Sequence, residues 1–241
     1  MKTKVYNLII LDESGSMGCI RQQAVEGVNQ TFSTIRQAQL SHDDQEHIVS
    51  FVTFDSCRTN SIYDLTPIKD VKDLALKDYN PGACTPLYDA MGFALTKLRT
   101  TATTSDLVLV TIITDGYENA SREYNGKTIK ALVDELTQQQ DWVFTYIGAN
   151  QNVKEVATSL GVSNTMAFRE DIEGTRAMWV KENKCRESLF DSFDSFMSVA
   201  RAEGISPEEI KARIKEFKRR RSQDFFKEIE EEENEKKDGQ N

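Results

Sequence analysis

Cysteine, proline and histidine are scarce in this chain, with four, four and two among 241 residues. The thiols Cys19, Cys57, Cys84 and Cys185 show neither the paired spacing of a disulfide framework nor the spacing of a zinc site. They are expected to be reduced, small buried side chains in a cytoplasmic protein. His42 and His47 flank a polar DDQE stretch and read as solvated loop residues, so no histidine-based cluster can be assembled. Positive charge is also short: 30 Lys and Arg stand against 39 Asp and Glu, a formal net charge of -9. That balance excludes a general binder of nucleic acid or of anionic membranes. No apolar run approaches the roughly 20 residues that a membrane-spanning helix needs. The apolar run after MKTK is short and ends in an acid rather than in small residues, so it reads as a first strand and not as a signal peptide.

Four apolar runs are present: VYNLIIL, HIVSFVTF, LVLVTIIT and WVFTYIGA. They are rich in Val, Ile, Phe and Tyr and barely alternate with polar residues, as strands covered on both faces do. Helical periodicity fills the gaps. Ile20, Ala24, Val28, Thr31 and Ile35 share one face, as do Leu87, Met91, Ala94 and Leu98, and again Ile129, Leu132, Val133 and Leu136. A shorter helix near 153–160 and a last strand near 165–168 follow. Strand and helix in alternation predict an α/β fold: a doubly wound, mostly parallel six-stranded sheet with helices on both faces. One link breaks the alternation. DSCRTN leaves no room for a crossover helix, so SIYDLTPI is expected to be an antiparallel edge strand.

These directions place the loops. If Asp12 ends the first strand at the top of the sheet, the hairpin sends SIYDLTPI to the bottom and DVKDLALKDYNPGA must climb back. Asp12, Ser14 and Ser16 of DESGS, Thr85 of CTPLYDA and Asp115 of TDGYEN then share one rim, at the carboxyl ends of the strands where open α/β sheets bind ligands. Two carboxylates and three hydroxyls are hard oxygen donors, which favours Mg²⁺, with Mn²⁺ or Ca²⁺ as alternatives. Each fragment alone also has a plain reading. Ser and Gly make turns and caps, Thr85-Pro86 makes a helix start, and Asp115-Gly116 makes a turn.

DESGS, the threonine of CTPLYDA and the aspartate of ITDG together resemble the metal-ion-dependent adhesion site of von Willebrand factor type A (VWA) domains, over residues 4–168. The resemblance implies that Ser14, Ser16 and Thr85 bind the metal directly, and that Asp12 and Asp115 do so directly or through water. It implies a non-enzymatic protein-binding module in which the cation captures an Asp or Glu of a partner protein; in adhesion members of that family the last helix slides to change metal-site affinity. TPLYDA and TDGYEN look like the intracellular bacterial group found beside tellurium-resistance proteins. Glu13, Gly116, Tyr117 and Glu118 would border the partner surface, although exposed loop residues are the plainer reading of Tyr117 and Glu118. A haloacid-dehalogenase-type phosphohydrolase is the rival, but it needs a second carboxylate two residues after its nucleophile, where this chain has Ser14. A scaffold with a purely structural metal is the third reading.

The expected organisation is a VWA core over 1–170, an extended last helix over 171–204 and a charged helical tail over 205–241. Cys185, Leu189, Phe193, Phe196 and Ala200 mark the long helix, expected over 175–202, and Gly204 stops it. Ser206-Pro207-Glu208-Glu209 is a capping box for another helix, striped by Ile210, Ile214, Phe217, Phe225 and Ile229. That tail can fold back, pair with a second chain or dock a partner. Lys218–Arg221 reads as a solvated or docking segment rather than a nucleic-acid site, because the acidic run EIEEEENE adjoins it. Those glutamates could reach a neighbouring molecule's metal, and residues 234–241 are expected to be disordered.

Overall fold

Strand β1 (Thr3–Asp12) is buried continuously from Val5 to Asp12, as an apolar run without alternation requires. The computed structural model, which describes residues 2–227, sets this strand inside a six-stranded sheet. The other strands are β2 (Gln45–Asp55), β3 (Arg58–Pro67), β4 (Leu107–Thr114), β5 (Val143–Gly148) and β6 (Asn164–Ala167), in the order β3-β2-β1-β4-β5-β6. Every pairing is parallel except that of β3 with β2, which is antiparallel. This is the predicted doubly wound α/β architecture, with its one reversed strand at the edge.

Successive residues of β1 face opposite ways and seed two cores. Val5, Ile9 and Leu11 pack with α1 (Arg21–Ser41) and α5 (Ile172–Ala202). Tyr6, Leu8 and Ile10 pack with α2 (Leu87–Arg99), α3 (Gly126–Gln140) and α4 (Val153–Ser159). The climb from β3 back to the rim is made by short 3₁₀ turns at Ile68–Asp70 and Leu76–Asp78. Among the described residues no helix is long and apolar enough to cross a membrane.

Two devices fix α5, which begins at Ile172, three residues before the periodicity places it. At its crossing with α1, the Trp179 indole lies on the backbone of Gly27, where an added Cβ would fall 2.2 Å from the ring. Over the sheet, the fully buried Arg186 pairs with Glu182 at 2.5 Å. The same guanidinium donates to Asn7 Oδ1 of β1 at 2.9 Å and to Thr111 Oγ1 of β4 at 2.8 Å. The bonds to Asn7 and Thr111 therefore register the helix laterally across two strands, while Glu182 compensates the charge from within the helix.

Both histidines are buried, against the expectation of a solvated loop. His42 is clasped by Asp191 and Asp194 of α5, at 2.9 and 3.5 Å. His47 lies within β2, bonded to Gln45 Oε1 at 3.0 Å and edge-on to Phe190. Burial, followed by the charges of His42 and Arg186, pulls His47 down to about 3.

Two of the four basic residues at 218–221, Lys218 and Arg221, are also inside, while Arg219 and Arg220 are exposed. Ser206 caps α6 (Pro207–Asp224) by accepting from Glu209 N, and Gly204 breaks the chain before it in the left-handed region at φ +63. The helix folds back beneath the sheet. Lys218 is fully buried and donates to the carbonyls of Thr104, Asp106 and Gln140 at 2.9, 2.8 and 3.2 Å. Arg221 is buried too, on Ser192 Oγ and over the Phe217 ring. Phe225 and Phe226 complete the seal, while Asn164 bonds Ser222 O and Phe225 N. A solvated or partner-docking role for Lys218 and Arg221 is thereby corrected: both are internal anchors. The apolar stripe facing the domain drew them in. Ile229, the acidic run and residues 234–241 lie outside the described residues.

Because His47 stays neutral when folded, the unfolded chain takes a proton that the folded chain refuses. Stability is expected to be full above about 6.5 and to fall by about 1.4 kcal/mol per pH unit towards 3 from this residue alone. Urea titrations across pH should show His47→Gln removing that slope. Gly27→Ala should cost about 1–3 kcal/mol by overpacking against Trp179, outweighing the ~1 kcal/mol that alanine adds within a helix.

Candidate metal centre

Parallel pairing of β1 with β4, in register up to Leu11 and Ile113, carries Asp12 and Asp115 out of adjacent strands at the same end. Ser14, in extended backbone, opens a 3₁₀ turn over Gly15–Ile20, so the chain after Asp12 curls back over its own carboxylate. Asp12 Oδ1 accepts from Ser14 N at 2.7 Å, and Asp12 Oδ2 accepts from Thr114 Oγ1 at 2.6 Å. Ser14 Oγ and Ser16 Oγ are 3.3 Å apart, and Ser16 Oγ donates to Asp115 Oδ1 at 2.7 Å.

Thr85 arrives from the third loop. Asn119 clamps it twice, accepting from Thr85 N at 2.8 Å and donating its own N–H to Thr85 O at 3.1 Å. A carbon placed on Gly116 would sit 3.9 Å from both Ser16 Oγ and Thr85 Oγ1, so both hydroxyls border the same glycine. Main-chain bonds tie the first and third loops together, Gly15 N to Ala83 O and Gly82 N to Glu13 O. Tyr79, fully buried, donates its hydroxyl to the carbonyl of Asp12 at 2.5 Å. The five residues singled out in the sequence thus stand in one cluster.

Asp12, Ser14, Thr85 and Asp115 are each at most 3% exposed, whereas Ser16 faces solvent. Burial raises the Asp12 carboxyl above its usual range despite the Thr114 and Ser14 bonds. Burial, with the Asp12 and Glu170 charges adding to it, pushes Asp115 up to about 6. Asp115 Oδ2 is buried without a hydrogen-bond partner. An orphaned carboxylate oxygen beside three hydroxyls is what a hard cation satisfies, so the donors fit the Mg²⁺ expected from the sequence. Among the described residues no three His, Cys, Asp or Glu side chains gather as a metal cluster, which leaves this mixed carboxylate and hydroxyl set as the candidate.

The bordering residues differ from expectation. Glu13 is fully buried, accepting from Asn80 N at 2.6 Å and lying 3.5 Å from Arg58, so it is not a partner-facing residue. Its carboxylate on Asn80 N and its carbonyl on Gly82 N hold it inward against the 80–82 loop. Glu118 is no free surface acid either. Its two oxygens accept from Ala120 N, Ser121 N, Ser121 Oγ and Tyr88 N, all at 2.7–2.9 Å, folding the 118–121 loop onto the first turn of α2. Gly116 is half-buried, and Tyr117 remains exposed at 54%, its hydroxyl accepting from Asn152 N. Cys19, Cys57 and Cys84 are exposed and only Cys185 is buried, which corrects the expectation of buried thiols.

Thr114, Asn119 and Tyr79 were not picked out from the sequence. Thr114 is an ordinary strand residue by type. Asn119, four residues past Asp115, carries at most a turn signal.

No family model and no curated protein matches the sequence. Solved structures do. The SpRpn10 VWA domain aligns with a TM-score of 0.53 at 11% identity, covering 73% of this chain and 94% of that one. The PilB minor pilin from Streptococcus sanguinis aligns at 0.53 and 11%, covering 78% of this chain and 62% of the pilin. Proximal thread matrix protein 1 from the mussel byssus aligns at 0.56 and 15%, covering 76% of this chain and 46% of that protein. The likeness is one of fold: the chain has a VWA-like α/β fold, and it spans less than two thirds of the pilin and byssus chains.

Glu118→Ala should leave three part-buried amides without their acceptor, at about 0.5–1.5 kcal/mol each. Hydrogen exchange at Tyr88, Ala120 and Ser121 is expected to accelerate while β1 and β4 stay protected.

Proposed function

We propose that this chain is a protein-binding module whose rim holds Mg²⁺ through the hydroxyls of Ser14, Ser16 and Thr85 and the carboxylate of Asp115, with Asp12 as the buried anchor of the Ser14 turn. When bound, the cation supplies a position for an Asp or Glu carboxylate of a partner protein. The observation carrying this reading is Asp115 Oδ2, a buried carboxylate oxygen without a partner inside a ring of hydroxyls. Neutral hydroxyls leave the ion's charge poorly compensated, which favours an outside acid. The VWA-like fold supports the same class of activity, since the SpRpn10 neighbour is itself a VWA domain.

Binding rather than turnover follows from Asp12. Both of its oxygens are engaged, by Ser14 N–H and the Thr114 hydroxyl, and the position a phosphohydrolase would give to its acid/base is Ser14. Exposed thiols at Cys19, Cys57 and Cys84 fit a reducing compartment, and we assign the chain to the cytoplasm.

At a Mg²⁺ concentration about a hundred times its dissociation constant, stability should rise by about 2.7 kcal/mol. Thr85→Ala is expected to abolish that rise in thermal unfolding while leaving the metal-free transition in place. Immobilised peptides bearing one Asp or Glu should retain the wild type in Mg²⁺ and release it in a chelator, and their Asn and Gln counterparts should retain nothing. Retention that ignores both metal and Thr85 would refute metal-mediated capture.

A further inference from the structure

Beside the rim lies a carboxylate that the site as described does not use. Glu170 sits between β6 and α5, half-buried. Its Oε1 is 2.7 Å from Cys19 Sγ, and the same thiol is 3.3 Å from Ser16 O, the carbonyl of a metal-ligating residue. Its Oε2 is held by the side-chain amide of Asn150, which follows β5 in left-handed backbone at φ +53. The backbone here is fixed. Asp171 caps α5, accepting from Gly174 N at 2.6 Å with its side chain and from Thr175 N at 2.9 Å with its carbonyl. A Cβ on Gly174 would lie 2.5 Å from Arg169 O, so the 169–174 turn is closely packed on itself. The rotatable bonds of the Glu170 side chain lie outside that cap.

We infer that Glu170 is an internal ligand of the rim cation, filling the position a partner's acid takes until the partner displaces it. The inference rests on the reading of the rim as a divalent-cation site. Three features carry it. The first is the orphaned Asp115 Oδ2, a buried carboxylate oxygen of the cluster that no donor reaches. The second is the nature of the holders. Glu118, a loop-building acid, takes three main-chain N–H groups and a hydroxyl, whereas Glu170 is held by a thiol and a primary amide. Those are weak partners for a carboxylate compared with a cation. The third is the route: Cys19 bridges Ser16 and Glu170, so a single thiol separates the parked acid from the ligand loop.

The class of competitor follows. A partner must present a carboxylate that displaces one already tethered at high local concentration, which raises the affinity a productive partner needs and the density at which a short acidic peptide must be immobilised to retain the wild type.

Mn²⁺ replacing Mg²⁺ in the full chain gives a readout through water-proton relaxivity, which counts water molecules on the ion. Glu170→Ala should raise the relaxivity of the protein-bound ion by one inner-sphere water. Asn150→Gly, which tolerates the left-handed backbone and removes the amide tether, should leave it at or below the wild-type value. Mn²⁺ bound by wild type and Glu170→Ala with equal relaxivity would overturn the internal ligand while leaving the metal site standing. No Mn²⁺ uptake by the wild type would overturn both.

Discussion

Two carboxylates, Asp12 and Asp115, stand buried side by side where β1 and β4 end, and much of the upper half of the molecule is arranged around keeping them there. Like charges removed from water are costly. The chain answers with local dipoles rather than with a basic side chain: the Ser14 N–H and the Thr114 hydroxyl on Asp12, and the Ser16 hydroxyl on Asp115. Those donors shield the first carboxylate fully and the second on one oxygen only. The imbalance leaves one buried oxygen, Asp115 Oδ2, without a donor beside the rim hydroxyls.

The supports of that arrangement form a second tier. Glu13, one residue past Asp12, braces the 80–82 loop from below, and Glu118 and Asp89 stitch the 118–124 loop to the start of α2 through main-chain amides. Thr85 is held between those two loops by Asn119. Acids that sequence alone would assign to solvent or to a partner are thus internal acceptors. They replace missing regular structure in a region with little helix or strand of its own.

The strands, their order of direction and the meeting of Asp12, Ser14, Ser16, Thr85 and Asp115 at one rim were legible because they depend on local pattern. Apolar runs mark buried strands, the short DSCRTN link marks a reversal, and D-x-S-x-S follows one strand end. What escaped depends on distant partners. Thr114 reaches Asp12 across 102 positions and His42 reaches Asp191 across 149, so neither residue's role is written near it. Lys218 and Arg221 are the sharpest case. Their charge argues for water, yet α6 carries Ile214, Phe217 and Phe225 on the same side and takes the two cations in with them, to carbonyls and a hydroxyl that only the folded chain presents. Three of the thiols went the other way: Cys19, Cys57 and Cys84 lie on loops between the regular elements and are exposed.

The docking of α6 beneath the sheet has a geometric outcome of its own. Through Lys218 and Phe225, α6 is fastened to the starts of β4, β5 and β6, at the end of the strands opposite Asp12 and Asp115.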